Sequence, residues 1–206
     1  MAVFRGAVKR FVFVASLALT LPLVVAVWLE KQLSRGEQVF VLCAQLLAVL
    51  PGLPGAWLRG AFYFGTLDAC SSETHVGFGS VFTHRGASLG RRASMGCYCV
   101  IGHADIGEGV MIGSRVSIPS GKRQHFDAEG RLSADAHVFD RLSIGDRCWI
   151  GEGAIILADV GGECVVSAGA VVSRAMPGGH LIAGNPARAV GRIGTAESTA
   201  SQEASA

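Results

Sequence analysis

Charge is scarce in this 206-residue chain: Asp, Glu, Lys and Arg together supply 17% of it, and the net charge is +2. No Lys/Arg cluster is interleaved with aromatic residues, which removes a nucleic-acid surface from consideration. No Cys-x-x-Cys pair occurs either. The six cysteines, at 43, 70, 97, 99, 148 and 164, fit no zinc ribbon or finger. They are expected as buried free thiols in a reducing compartment, and no metal is expected. Cys97 and Cys99, two apart on an expected strand, should face the same side.

Apolar residues, by contrast, make up half the chain, and the excess is concentrated before residue 60. Phe11 to Leu29 is a run of 19 residues without a charge. As a helix it would be about 28 Å long, close to a bilayer core of ~30 Å. Arg5, Lys9 and Arg10 precede it; Glu30, Lys31 and Arg35 follow. No small-x-small cleavage site follows Trp28, so a retained anchor is preferred to a signal peptide. A second apolar run starts at Val39 and meets Pro51-Gly-Leu-Pro54-Gly, so its helix should stop near Leu50, too short to span. That segment reads as interfacial or re-entrant, with Trp57 and Arg59 suited to the headgroup boundary, or as a helix packed on the rest of the chain.

From Val76 onward an aliphatic residue followed by glycine recurs every six positions. Leu89-Gly90, Met95-Gly96 and Ile101-Gly102 form one row. Ile106-Gly107, Ile112-Gly113 and Ile118 form another, which extends back through Val100. The two differ by one residue, so a slip lies near Gly102 to Asp105. After a polar interruption the period resumes at Ile144-Gly145, Ile150-Gly151 and Ile156, shortens by two residues, and continues at Val160, Val166 and Val172. A six-residue period with β-branched residues predicts a parallel β-helix: strands of about five residues, three to a coil, coils stacked ~4.8 Å apart. Glycine is expected at the corners because it accepts positive φ. The shortened coil between Ile156 and Val166 should tighten or flatten a corner.

Val76 to Arg192 resembles the hexapeptide-repeat acyltransferases. The resemblance is carried most specifically by CYCVIGHADIGEGVMIGSRVSIPSG and SAGAVVSRAMPGGHLIAGNPARAVGR. The nearest branch is the maltose, galactoside and colanic-acid type of O-acetyltransferase. The resemblance implies a left-handed coil, a homotrimer with active sites in the clefts between subunits, and acetyl-CoA as co-substrate with no permanently bound cofactor. The membrane-like front end departs from the soluble sugar acetyltransferases. The organisation expected is therefore mainly β: membrane-associated helices over 1–60, a β-helix over 61–193 with an extruded loop at 120–141, and a low-complexity, disordered tail at 194–206.

The loop, SGKRQHFDAEGRLSADAHVFDR, is polar and cannot fill the coil interior. Loops on a rigid scaffold commonly carry function. The resembling enzymes keep their catalytic His here, which puts His125 in that role and leaves His137 as the runner-up. Transfer to a hydroxyl needs a base as the oxygen attacks the thioester carbonyl, and an imidazole, ordinarily titrating near ~6.5, suits it. Asp105 and Asp127 are candidates for orienting the ring. For the coenzyme the resemblance implies Glu152, Ala168, Ser173, Arg174 and Arg188, with Arg192 a weaker addition; the arginines could pair with phosphates.

The function expected is O-acetylation of a carbohydrate hydroxyl, in a sugar or in a polysaccharide or lipid-linked precursor. The location expected is the inner membrane, with the catalytic domain facing the cytoplasm. A serine or amino-sugar acetyltransferase shares the scaffold, and a non-catalytic β-helix assembly protein is the reading outside enzymes. A zinc carbonic anhydrase on the same coil would need three convergent histidines, and no His-x4-His pair of that family's kind exists here.

Overall fold

The computed structural model describes residues 2–34, 36–121, 124–127, 129–132 and 139–193. The expected disordered tail and His137 lie outside them. Three helices precede the β-region: α1 (Ala2–Leu33), α2 (Gln38–Ala48) and α3 (Gly52–Thr66). As expected, α2 stops just before Leu50. Pro54 does not prevent a new helix, because it stands in the first turn of α3, where a missing N–H costs nothing. The boundary expected at residue 60 falls inside α3, which runs on to Thr66.

The rest is a three-faced parallel solenoid. One face stacks β1 (Ala69–Cys70), β4 (Ser88–Leu89), β7 (Ala104–Ile106) and β10 (Leu142–Ile144). The second stacks β2 (His75–Val76), β5 (Ser94–Met95), β8 (Met111–Ile112), β11 (Trp149–Ile150), β13 (Val165–Val166) and β15 (His180–Gly184). An antiparallel β16 (Ala187–Arg192) closes that face. The third stacks β3 (Val81–Phe82), β6 (Val100–Ile101), β9 (Ser117–Ile118), β12 (Ile155–Ile156) and β14 (Val171–Val172). The parallel strands are mostly two or three residues long, shorter than the five expected.

Buried side chains from successive strands fill the interior: Met95, Ile101, Ile106, Ile112, Ile118, Ile144, Ile150 and Ile156 are all nearly inaccessible. The one-residue slip is real. Ile101 and Ile106 both point inward five positions apart, and Val100, expected in the inward row, faces out. Where the sequence loses two residues, the first face shrinks to single bridges, Ile144 to Val160 and Val160 to Met176.

The repeating glycines have a different cause from the one expected. Positive φ falls instead at other corner positions, several of them not glycine: Arg92, Tyr98, Arg115, Arg147 and Glu163. The glycine after each inward residue is needed for stacking. A Cβ on Gly151 would lie 2.5 Å from the Ala168 amide nitrogen, closer than any real contact. Tyr98 also separates Cys97 from Cys99, so the two sit in a turn and not on a strand, and only Cys99 is fully buried. All six cysteines are free, and burial pushes the Cys148 thiol up to about 11, which keeps it unreactive.

The helices cap the open base of the coil. Tyr63 of α3 is fully buried, and its hydroxyl accepts the Phe82 N–H at 3.2 Å. Arg59, expected at a headgroup boundary, is only 1% exposed. Its guanidinium donates to the carbonyls of Leu47 (3.0 Å), Leu50 (2.7 Å) and Val76 (3.0 Å), tying the end of α2 to α3 and the first coil. The carbonyls at a helix C-terminus have no partner within the helix, and a cation is suited to take them.

Within α1, Gly6–Leu33 is long and apolar enough to cross a membrane. One stripe of it, through Ser16, Thr20, Val27 and Glu30, is buried, with α3 the main packing partner. The opposite side exposes Phe11, Val14, Leu19, Leu21, Val25, Trp28 and Leu29. Glu30 accepts the Val39 and Phe40 N–H groups at the start of α2 and meets Arg85 of the coil at 3.4 Å.

Candidate active site

Each strand of the third face is followed by a corner, and these corners form one column. Thr83, Gly102, Pro119, Leu157 and Ser173 are the first residues in it, since each directly follows β3, β6, β9, β12 or β14. The polar loop leaves this column after β9. Its stem is clasped: the Ser120 hydroxyl accepts the His103 N–H at 2.8 Å, and the Ser120 carbonyl accepts the Asp140 N–H at 3.0 Å. Gly121 is required here, with φ +81° and Asp140 within 2.4 Å of where a Cβ would sit.

On the returning side Arg141 donates two 2.6 Å hydrogen bonds to Asp105 and lies 3.6 Å from Asp68. The Arg141 hydrogen bonds, with a further one from Ser88 at 2.5 Å, hold the Asp105 carboxyl below the usual carboxylate range. Asp105, expected to orient the catalytic imidazole, is thus occupied as the anchor of the loop, and within this chain no hydrogen bond joins it to His125. Asp127 is occupied too. Its carboxylate accepts the N–H groups of Glu129 and Arg131 at 3.0 and 2.8 Å, closing the tight turn bridged by Phe126 and Leu132. His125 is exposed at the entry to that turn, and its ring makes no hydrogen bond to a described residue. Replacing Arg141 with methionine should free the stem with little loss of fold, because a half-exposed pair is worth at most ~1 kcal/mol. The expected result is a melting shift below about 3 °C, with limited trypsin cleavage in 120–141 accelerated several-fold.

The structure also assembles a group that sequence reasoning missed. Beside the same corner column, His84 Nδ1 lies 2.6 Å from Glu37 Oε2, and the Arg85 N–H donates to Glu37 Oε1 at 3.1 Å. The His84 ring packs on Phe139 of the loop stem (4.5 Å between centroids) and faces His103 at 6.2 Å. Glu37, His84, Gly86, His103 and Phe139 line an open pocket of about 340 Å³. A carboxylate fixing one ring nitrogen leaves the other to serve as donor or acceptor. The sequence held a weak signal, two histidines at equivalent corners of successive coils, but nothing in it joined Glu37, 47 positions away, to His84.

Burial pushes the Glu37 carboxyl up, but the hydrogen bonds from His84 and Arg85 and their charges outweigh it, so its pKa is lowered overall. A depressed carboxylate contributes stability that is present above its unfolded pKa and lost as pH falls through the folded one. Glu37→Gln should therefore melt below wild type at pH 7, and the gap should close as melts are repeated below about pH 4. A gap independent of pH would mean that the carboxylate charge contributes nothing.

Of the residues expected to hold coenzyme, Glu152 and Ala168 stack at the corner before the third face, where the Gly169 N–H donates to the Glu152 carbonyl at 2.8 Å. Glu152 also lies 3.5 Å from Arg115. Ser173 and Arg174 lie at the opposite edge of that face, in the loop's own corner column, with Arg174 exposed. The loop exit at β9 is two strand spacings, ~10 Å, from β14. Arg188 is exposed on β16, whose hairpin packs near β14. The structure so brings Ser173, Arg174 and the loop stem to one edge, and leaves Glu152 and Ala168 across the face. Among the described residues no group of three His, Cys, Asp or Glu side chains is arranged to hold a metal.

Residues 141–174 match the family model described as hexapeptide repeat of succinyl-transferase. Serine acetyltransferase 4 of Arabidopsis thaliana is 34% identical over 90 residues, which is 43% of this chain and 24% of that protein. A Saccharomyces cerevisiae protein, named provisionally as an acetyltransferase, is 36% identical over 75 residues, 35% of this chain and 38% of its own. The chain thus matches well under half the length of these curated relatives. Among solved structures, a maltose O-acetyltransferase from Clostridium difficile 630 superposes with a TM-score of 0.66 at 22% identity, covering 76% of this chain and 86% of that one. A galactoside acetyltransferase in complex with coenzyme A gives 0.59 at 20%, covering 78% and 84%. A hexapeptide-repeat acetyltransferase from Vibrio cholerae with acetyl coenzyme A gives 0.57 at 20%, covering 78% and 92%. The fold is the left-handed parallel β-helix of hexapeptide repeats that these transferases share.

Proposed function

We propose that this chain is an acetyl-CoA-dependent O-acetyltransferase acting on a hydroxyl of a sugar, free or within a polysaccharide or lipid-linked precursor. The observation that carries the reading is the shared edge of the third face, where the long polar loop of the coil emerges beside Ser173 and Arg174. Support comes from the solved neighbours named as maltose and galactoside acetyltransferases, the second of which holds coenzyme A, and from the Vibrio cholerae acetyltransferase that holds its acetyl thioester. In this mechanism neutral His125 takes the proton of the acceptor hydroxyl while its oxygen attacks the thioester carbonyl. The carbon–sulfur bond breaks, and the imidazolium returns the proton to the departing thiolate. Arg174 and Arg188 pair with coenzyme phosphates, and Glu152 and Ala168 flank the pantetheine arm. Transfer is direct, in a ternary complex. Three copies of the chain pack flat sides together, adding burial to a narrow coil and completing each cleft.

The outward apolar side of α1 supports attachment to the cytoplasmic face of the inner membrane, where acetyl-CoA is available. The test is release of CoA thiol from acetyl-CoA with a panel of glycosides, L-serine and an amino sugar. Glycoside-dependent release supports the proposal. Release with serine or the amine alone favours the second reading, which the match to a serine acetyltransferase supports. No release with any acceptor favours a non-catalytic scaffold. Recovery of the intact protein wholly in the soluble fraction after detergent-free lysis would remove the membrane attachment.

A further inference from the structure

Where α1 passes the first coil, the molecule carries a groove of about 890 Å³ that plays no part in the chemistry above. Its walls come from three elements distant in sequence: the start of α1, the middle of α3, and the coil around Ser72–His75 and Arg92. Lys9, Arg10 and Arg92 all line it, and none has an ion-pair partner among the described residues. Glu73 is the one carboxylate on the lining, and its charge also acts on Arg91. The same groove is lined by Val8, Phe13 and Trp57, of which Val8 and Trp57 are exposed.

A groove that combines three unpaired cations with apolar and aromatic walls matches a ligand with an anionic head and a hydrocarbon tail. A free phosphate would use the cations but leave the aromatic and apolar lining to water. A neutral lipid would cover the apolar lining but leave three charges facing its headgroup without a counter-ion. We propose that this groove seats the headgroup of an anionic membrane phospholipid, with Lys9, Arg10 and Arg92 around its phosphate and Trp57 at the glycerol level. The proposal rests on the membrane attachment argued above. Arg92 is the distinctive member: it belongs to the β-helix, on a corner at φ +60°, and would fix the coil's orientation on the bilayer. The aromatic at the interface and cations beside the phosphate plane follow the ordinary distribution of these side chains in membranes.

The experiment uses the full chain, purified in detergent and diluted into vesicles of phosphatidylcholine, or of phosphatidylcholine with roughly one third phosphatidylglycerol, followed by flotation. The expected result is binding to both, with at least about tenfold tighter partition onto the anionic vesicles at low salt, falling as salt screens it. Arg92→Asn, which tolerates the positive φ, should remove about half of that preference on a logarithmic scale while leaving binding to neutral vesicles unchanged. Lys9→Gln with Arg10→Gln should remove most of the remainder. An anionic preference untouched by Arg92→Asn would overturn the groove in favour of a diffuse basic segment. Loss of the preference when inorganic phosphate replaces chloride at equal ionic strength would overturn it in favour of a free-phosphate site. Equal binding to both vesicles would sink the headgroup site alone; binding to neither would sink the membrane attachment with it.

Discussion

His125→Ala is expected to lower acetyl transfer more than about 100-fold, the lower end of what a positioned general base contributes. The fold should not notice the change. His125 is exposed at the mouth of a turn built by Asp127, and its ring makes no hydrogen bond to a described residue. Melting should stay within about 1 °C of wild type, so a loss of rate would report chemistry and not unfolding. The measurement is CoA thiol release with a saturating glycoside, with His84→Gln run beside it. His84 has what His125 lacks among the described residues, a carboxylate at 2.6 Å that fixes its tautomer. If His125→Ala keeps full turnover while His84→Gln loses it, the proton is handled by the Glu37–His84 pair in the 340 Å³ pocket, and the loop only covers it.

Arg59→Leu should be the most destabilising single substitution in the front half of the chain, at roughly 3–5 kcal/mol. The replacement fills similar space but cannot donate, so the carbonyls of Leu50 and Val76 lose their partner where little water reaches, and that of Leu47 keeps only the Leu50 N–H at 3.2 Å. Each stranded carbonyl costs about 1–3 kcal/mol, and release from burying a cation without a carboxylate offsets part of the sum. For a chain of this size the melting temperature should fall by roughly 6–20 °C. Arg59→Lys should recover only part of the loss, since one ammonium cannot reach the end of α2 and the first coil together. A fall below about 2 °C for the leucine variant would mean that the helices are docked by apolar contact alone.

Much of the coil is legible in the amino-acid order, for a plain reason. A solenoid repeats one local solution, so each inward aliphatic at a six-residue interval reports the same environment, and even the slip near Gly102 shows as a broken count. The glycines stand where the spacing puts them, but positive φ is not why they are there. Their cause is a backbone in the next coil, at Gly151 the Ala168 amide, and a contact 17 positions away leaves no mark on local conformation. The loop is legible as a failure of the pattern. What its acids do is not, because Asp105 meets Arg141 only when two coils align.

The amino-acid order by itself settled the solenoid and the position of its interior column, since both depend on spacing between near neighbours; the charge-free run at 11–29 marked the apolar helix but not its length, which reaches from Ala2 to Leu33. Only the tertiary structure decided that Arg59 is an interior tie and not a surface charge. It alone brought Glu37 to His84 and gathered Lys9, Arg10 and Arg92 around one groove. Those groupings join residues from separate elements, and the distance between such residues is set by packing, which no periodicity encodes.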